Sequence, residues 1–299
     1  MPSWAGQSRG GSFGYRFFIF LIRYFGKGGA YAFLFLVVPY FALFAPKATK
    51  ASWQYWRKIH HLGRLTSFRM LFVHYYRFGQ ILLDKIAAIS GLDNDFEYDF
   101  FNYDEFLKVL DGDSGVVMIG AHVGNWEIGG QFFGKYAHKL NLVMYDAEYQ
   151  KIKKQLESVM GEKAYHVIPV NEDGFTHVFM IKEALDRKEY VCFQGDRYVG
   201  DGDKHTLEAT FMGRKALFPA GPFQIASRFK VPVVFYFSEK ENNDKYSFRF
   251  YIADPVKRTK ECKPETALLD QYVKVLEERV KKHPEQWFNF YPFWIDLNS

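Results

Sequence analysis

Apolar positions change their spacing twice along this chain. From Gly28 to Pro46 they are nearly continuous: nineteen residues carry no charge and include "AYAFLFLVVPYFALFA", close to the roughly 20 apolar residues that cross a bilayer core. Ahead of this window "FGYRFFIFLIRYFGKGG" carries Arg16, Arg23 and Lys27, a composition suited to lying in a membrane interface. Basic residues flank the window on both sides, so charge asymmetry does not orient it, and a span and a re-entrant or monotopic anchor both stay open. No small-residue cleavage site follows it and Pro46-Lys47 leads into a helical pattern, so retention of the segment is expected. A buried core hairpin interrupted at Pro39 is the alternative on length grounds.

Between residues 50 and 90, Trp53, Trp56, Ile59, Leu62, Leu65, Phe68 and Phe72 recur at three- and four-residue intervals, which predicts helix in two pieces. After the polar stretch "DNDFEYDFFNYDE" the apolar runs become short. "GVVMIG" (115–120), "LNLVMY" (140–145), "HVIPV" (166–170), "YVCFQ" (190–194), "VPVVFYF" (231–237) and "YSFRFYI" (246–252) are strand candidates. Helices fit between several of them, at Trp126 to Tyr136, Glu148 to Met160, Gly174 to Arg187 and Pro219 to Phe229. A last helix, Pro264 to Lys282, leads into the aromatic tail "HPEQWFNFYPFW". This alternation predicts an α/β fold whose largely parallel sheet is flanked by helices on both faces. The expected division is a membrane-anchoring segment, residues 1–48, followed by a catalytic domain, residues 49–299, whose first part, 49–95, is a helical lead-in.

Composition adds two points. Aromatic residues make up 19% of the chain, with 32 Phe and 20 Tyr, a load of rings that suits membrane interfaces and acyl-chain pockets as well as cores. The 39 Lys and Arg against 34 Asp and Glu give a net charge of +5, a mild basic bias that favours an anionic surface. No zinc-finger spacing, RNP-like segment or dense Lys/Arg block is present, which points away from nucleic acid. The two cysteines, Cys192 and Cys262, make neither a disulfide framework nor a metal cluster and read as reduced thiols on the cytosolic side.

The chemistry concentrates in "MIGAHVGNWEIGG", residues 118–130. In an α/β sheet reactive groups sit at the carboxyl ends of strands, and "GVVMIGAH" delivers His122 there. Gly124 lets the chain turn, Asn125 is a candidate N-cap, and Glu127 then falls in a first helical turn from which it can reach back to the imidazole. A carboxylate on one ring nitrogen fixes the tautomer and leaves the other nitrogen to accept a proton. No G-x-S-x-G elbow accompanies the pair and neither cysteine stands in a nucleophile motif, so the base is expected to activate a hydroxyl of the substrate. Taken alone, an H-x4-E spacing also fits a simple helix cap. It lacks the paired histidines of a metal-binding helix, and no metal is expected. His60, His61 and His74 read as surface or core residues.

"AHVGNWE" resembles the H-x4-[DE] block of the lysophospholipid acyltransferase superfamily, and more narrowly that of the bacterial lipid A late acyltransferases. "FQGDRYVG" resembles the strand-end segment that carries an aspartate, "FMGRKALFPAGPFQIA" the block after it, and "HPEQWFNFYPFW" the HPEQ-aromatic tail; the four occur in the family's order. The resemblance implies a glycerolphosphate-acyltransferase type of sheet at the bacterial inner membrane, with the catalytic domain facing the cytoplasm. It implies transfer of a fatty acyl group from an acyl-ACP or acyl-CoA thioester to a hydroxyl of a membrane lipid acceptor, with no cofactor. Acyl carrier protein, the acceptor lipid and the membrane surface are the implied partners. His122 would be the general base and Glu127 its orienting acid. Backbone N–H groups near Gly124 and Asn125, with Arg197, would face the oxyanion, and Asp196 is either functional or half of a structural pair with Arg197. Arg214 and Lys215, beside Gly213, suit an acceptor phosphate or an acidic carrier surface, a solvated basic turn being the alternative. "FPAGP" is similar to the F-P-E-G-T-R phosphate block of glycerol-lipid acyltransferases, which would put Pro219 and Gly221 at the acceptor, although Ala220 and Pro222 replace the glutamate and threonine. Pro219 and Gly221 fit a helix start equally well.

Two further departures concern the acceptor. The tail reads "FYPFW" where related enzymes have a basic His-Arg-Arg stretch, and Lys151, Lys153, Lys154 and Lys163 stand in a region where many carry an arginine. Acylation of another amphiphile, such as an aminolipid or an aryl-polyene-type lipid, therefore stays open. So do hydrolysis by a thioesterase or lipase and a catalytically inactive lipid-binding protein of the same fold.

Overall fold

The computed structural model describes residues 12–92, 96–126, 128, 134–145, 165–170, 175–198, 205–259 and 262–297. Its strands in chain order are β1 (Glu97–Phe101), β2 (Val116–Gly120), β3 (Leu140–Tyr145), β4 (His166–Val170), β5 (Tyr190–Gln194), β6 (Thr206–Phe211), β7 (Arg214–Pro219), β8 (Val233–Lys240) and β9 (Lys245–Ile252). The helices are α1 (Ser12–Phe44), α2 (Pro46–Gln54), α3 (Arg64–Ile89), α4 (Tyr103–Leu110), α5 (Thr176–Asp186), α6 (Ala220–Phe229) and α7 (Pro264–Lys282). Seven strands form one sheet in the order β1-β9-β8-β2-β5-β3-β4, parallel throughout except between β8 and β9. All six strand candidates read from the sequence lie in it.

The middle of the sheet is built from runs that are apolar at nearly every position, because helices cover both faces. Successive side chains on a strand point to opposite faces. On one side Val117, Ile119, Val191, Phe193, Phe235 and Phe237 pack under α5, α6 and α7, against Ile181, Phe223, Leu269 and Tyr272. On the other Val116, Met118, Tyr190, Cys192, Val234 and Tyr236 meet Phe106 and Leu110 of α4 and Ile81 and Ala88 of α3. The predicted helix at Glu148 to Met160 lies outside the described residues, as do Lys151, Lys153, Lys154 and Lys163 and most of Trp126 to Tyr136.

Three strands carry no strong signal in the sequence. β1 lies in the stretch read as polar: it is an edge strand with exposed Glu97, Asp99 and Phe101 alternating with half-buried Tyr98 and Phe100, and Asp99 pairs with Lys245 at 2.8 Å. β6 and β7 form a separate antiparallel hairpin closed by Met212 and Gly213, both in the left-handed region (φ 52° and 77°), as a two-residue primed turn requires. Pro219 ends the hairpin and caps α6 with extended backbone, so the helix-start reading of "FPAGP" holds.

One helical stretch among the described residues, Arg16–Phe44, is long and apolar enough to cross a membrane. It bends at Gly26 (φ 67°, ψ 176°) and packs along α3, burying Ile22, Ala30, Tyr31, Leu34 and Val38 against Leu71, Tyr75, Leu83, Ile86 and Ala87. Lys27 reaches Asp244 at 2.6 Å. Deeper in, Lys240 and Asp84 form an ion pair with neither side chain exposed, and the hydroxyls of Tyr31 and Tyr246 donate to the same carboxylate. The N-terminal segment is thus joined to the sheet by a buried polar contact as well as by apolar packing.

Helix α3 also carries His74, wholly buried between Ser52 Oγ and the Trp287 carbonyl, each at 2.9 Å. Its Nε2–H donates to the carbonyl, so Nδ1 accepts from Ser52. Burial pushes its pKa down to about 4. An unfolded histidine titrates near 6.5, so between about 6.5 and 4 the unfolded chain binds more protons and folding stability falls as pH falls. Stability in detergent is expected to fall by about 2 kcal/mol between neutral pH and about pH 5 from this one group. His74→Gln, which cannot titrate, should flatten that slope; an equally steep slope in the variant would assign it to other groups.

Candidate functional site

Strands β2 and β5 run parallel with Gly120 opposite Gln194. Two residues past that pair their chains leave the sheet with His122 and Asp196 side by side, and the Gly195 N–H donating to the Gly120 carbonyl at 2.9 Å continues the pairing. His122 Nδ1 lies 2.7 Å from Asp196 Oδ1, and the His122 backbone N–H donates to Oδ2 at 2.9 Å. A third donor, the indole Nε1–H of Trp287, reaches Oδ2 at 3.0 Å. Asp196 is 1% exposed, while the His122 side chain keeps 22% of its surface open.

An ionised carboxylate only accepts, so Nδ1 carries the proton and Nε2 is the basic nitrogen. Burial by itself would raise the Asp196 pKa, but His122, through charge and two hydrogen bonds, and the Arg197 guanidinium outweigh it and hold the group below its ordinary value. The acid is therefore ionised near neutrality. This arrangement suits proton removal from a hydroxyl on a bound substrate.

The H-x4-E spacing points to Glu127 as the carboxylate on the imidazole, but the partner found on Nδ1 is Asp196, distant in sequence. Glu127 lies outside the described residues. Gly124 sits at φ 59°, and a Cβ there would stand 1.8 Å from the Ser238 carbonyl oxygen, so only glycine can make this turn. Asn125 is buried, and its Oδ1 accepts from the Ile128 N–H at 3.3 Å, the predicted cap. One expectation is corrected. The Gly124 N–H donates to the Gln286 carbonyl at 2.9 Å and the Asn125 N–H to the Ser238 carbonyl at 3.1 Å, so both amides serve the fold and are not offered to an oxyanion. Arg197 follows Asp196 directly and donates through Nη2 to the Phe288 carbonyl.

The remaining candidates lie elsewhere. Arg214 pairs with Asp296, and Lys215 pairs with Glu208 at 2.7 Å, both at the turn end of the β6–β7 hairpin. Pro219 is buried at the hairpin's far end, and Gly221 is exposed with open space around it. Among the described residues, none of these four is hydrogen-bonded to His122 or Asp196.

Sequence reasoning missed the contribution of the tail. Trp287 stands opposite Val123 in an antiparallel bridge, the Phe288 N–H donates to the His122 carbonyl at 2.9 Å, and Tyr291 Oη donates to the Asp196 carbonyl at 3.0 Å. The HPEQ-aromatic resemblance and the density of aromatic residues marked the tail, but neither assigned it a contact with His122 or Asp196. On the α4 face of the sheet, Trp126, Tyr236, Phe100, Phe106, Phe248 and Phe250 line an apolar pocket, and the Tyr236 ring lies against Gly120, two residues before His122. Among the described residues one carboxylate–histidine group, Glu239, Glu241 and His283, has its ligand atoms within 4.8 Å of one another. Arg249 and Arg279 already face Glu239, at 3.3 and 3.6 Å, which disfavours a divalent cation there.

Among known proteins, the chain is similar to a phosphatidylinositol mannoside acyltransferase of Mycolicibacterium smegmatis (strain ATCC 700084 / mc(2)155), 22% identical over 211 residues that make up 68% of this chain. It spans less than two thirds, 64%, of that relative's length. Residues 70–295, which hold β1 to β9, the His122–Asp196 pair and the tail through Trp294, match the family described as bacterial lipid A biosynthesis acyltransferase. The chain belongs to the bacterial lipid A biosynthesis acyltransferase family.

Proposed function

We propose that this protein is an O-acyltransferase that moves a fatty acyl group from a carrier thioester to a hydroxyl of a membrane lipid, as in lipid A biosynthesis. The observation that carries the reading is the Nδ1 contact of His122 with a buried carboxylate, which leaves Nε2 as a base. Nε2 takes the acceptor hydroxyl proton as the oxygen attacks the thioester carbonyl. The tetrahedral intermediate collapses, the C–S bond breaks, and the departing thiolate takes the proton from the imidazolium. Asp196 stabilises the charged ring. Arg197 is the proposed donor to the oxyanion. Glu127 is retained as the acid of the motif, with a role to be separated from that of Asp196 by mutation.

The pocket beneath α4 is the proposed seat of the acyl chain. Exposed Phe20, Phe25, Phe35, Leu36 and Phe44 of α1 and Leu65 and Phe68 of α3 favour contact with lipid, and the cytoplasmic side of the inner membrane is the proposed location. An acyl carrier protein is the proposed donor, with coenzyme A as the other source of the thioester. The similarity to a phosphatidylinositol mannoside acyltransferase favours a second acceptor class, a glycosylated phospholipid in place of lipid A precursors.

Purified protein incubated with labelled acyl-ACP or acyl-CoA, with and without a membrane-lipid extract, tests the reading. Label is expected to move to a lipid only when the extract is present. Release of free fatty acid at the same rate with and without extract would make the protein a thioesterase, and no turnover with either donor would make it a binding protein.

A further inference from the structure

We propose that Trp287 is a positioning residue of the site: its indole N–H holds the Asp196 carboxylate in the orientation that fixes the His122 ring. The proposal rests on the reading of His122 as the base. A carboxylate that is 1% exposed must find its donors within the protein. One oxygen serves the imidazole, and the other takes the His122 backbone N–H and Trp287 Nε1. Without the indole, the second oxygen would be held by a single backbone donor and the plane of the carboxylate would be set by His122 alone.

Trp287 is itself held on every side. Its carbonyl accepts from His74, which is braced by Ser52. The Gln286 side chain takes the Lys240 N–H at 2.8 Å and donates to the Lys240 carbonyl at 2.7 Å, and the Gln286 carbonyl takes the Gly124 N–H. The wholly buried indole meets Tyr55, Phe211, Phe293 and Trp294 edge to face, with ring centroids 5.1 to 5.7 Å apart. So packed, it cannot turn to another acceptor. The other charged or titratable groups that act on Asp196 are Arg197 and the phenols Tyr272 and Tyr291. Both phenols are pushed far above their ordinary range by burial, so both stay neutral across the pH range of the assay.

The test compares two tryptophans of one tail. Trp287→Phe keeps a ring and removes the donor; Trp294→Phe removes an indole N–H that serves only the Phe211 carbonyl, at 2.9 Å. Trp287→Phe is expected to lower kcat about tenfold or more with little change in acceptor KM, because a hydrogen bond to an ionised group is lost. The acid limb of its kcat profile should move to higher pH, since a carboxylate with one donor fewer holds the imidazolium proton more tightly. Trp294→Phe should lower the melting temperature without moving that limb. Should Trp287→Phe fail to fold, benzothienylalanine at position 287 keeps the indole shape and replaces N–H by sulfur, and the same shift is expected. An unmoved acid limb and unchanged kcat in a folded variant, with His122→Ala inactive, would overturn the role of Trp287. Activity retained in His122→Ala would instead bring down the reading on which it rests.

Discussion

His122→Ala is expected to slow acyl transfer by about 10² to 10⁴, the range that general-base catalysis supplies, while melting close to the parent. The half-open side chain supports little of the core, so its loss removes the proton acceptor and not the fold. Asp196→Asn should be as severe or worse. The amide would offer an N–H where the carboxylate accepts, so the imidazole would put its proton on Nε2 and lose the base; the corresponding change in a serine protease triad costs about 10⁴. Asp196→Asn also leaves the Trp287 and His122 donors pointing at a weaker acceptor, so some stability is lost with activity. Glu127→Gln separates the two carboxylates. Single-turnover transfer at saturating acceptor, alongside thermal melts, decides the matter: near-normal transfer in folded Asp196→Asn would remove Asp196 from the mechanism. A severe loss in Glu127→Gln as well would mean that both acids act on the base.

Lys240→Met is expected to cost about 3 to 5 kcal/mol of stability, since it strands an uncompensated carboxylate in the core. Asp84 would keep two tyrosine hydroxyls as donors and no positive charge. The double variant Asp84→Leu, Lys240→Met should recover most of that loss, because removing both charges also removes their desolvation cost. Denaturant melts in detergent micelles measure both, and a double variant no better than the single one would show that the pair is not the source. The same network bears on the N-terminal segment. From the apolar window alone, residues 1–48 read as a membrane-anchoring segment separate from the catalytic domain. With Tyr31 bonded to Asp84 and five residues of α1 buried on α3, their removal is expected to destabilise the remaining chain as well as free it from the membrane.

Strands at the centre of the sheet were legible because burial on both faces demands apolar residues at every position, as in "VVMIG" and "YVCFQ". Edge strand β1 was not, because its exposed positions are acidic and its pairing with β9 is set by distant residues. The β6–β7 hairpin was hidden because its turn, Met212-Gly213, lacks the usual asparagine or aspartate. In the site, His122 stood out through a motif read on one segment. Asp196 and Trp287 reach it only through parallel pairing across β2 and β5 and through docking of the tail, neither of which leaves a periodic trace. The two oxyanion amides failed for a related reason: a glycine turn looks free in sequence, but here it is closed by carbonyls from β8 and the tail.

The tail's place against His122 and Asp196 has a consequence for biosynthesis. Trp287 is translated 91 residues after Asp196, so the sheet and its histidine leave the ribosome before the residue that braces the carboxylate. Domains fold largely in the order in which they emerge. A nascent chain arrested short of Trp287 would already carry its apolar helix to the bilayer, yet its imidazole would lack the closing strap. Released chains ending before and after the tail, assayed for transfer, are expected to switch from inert to active across this segment, which would make emergence of Trp287 the step that arms the histidine.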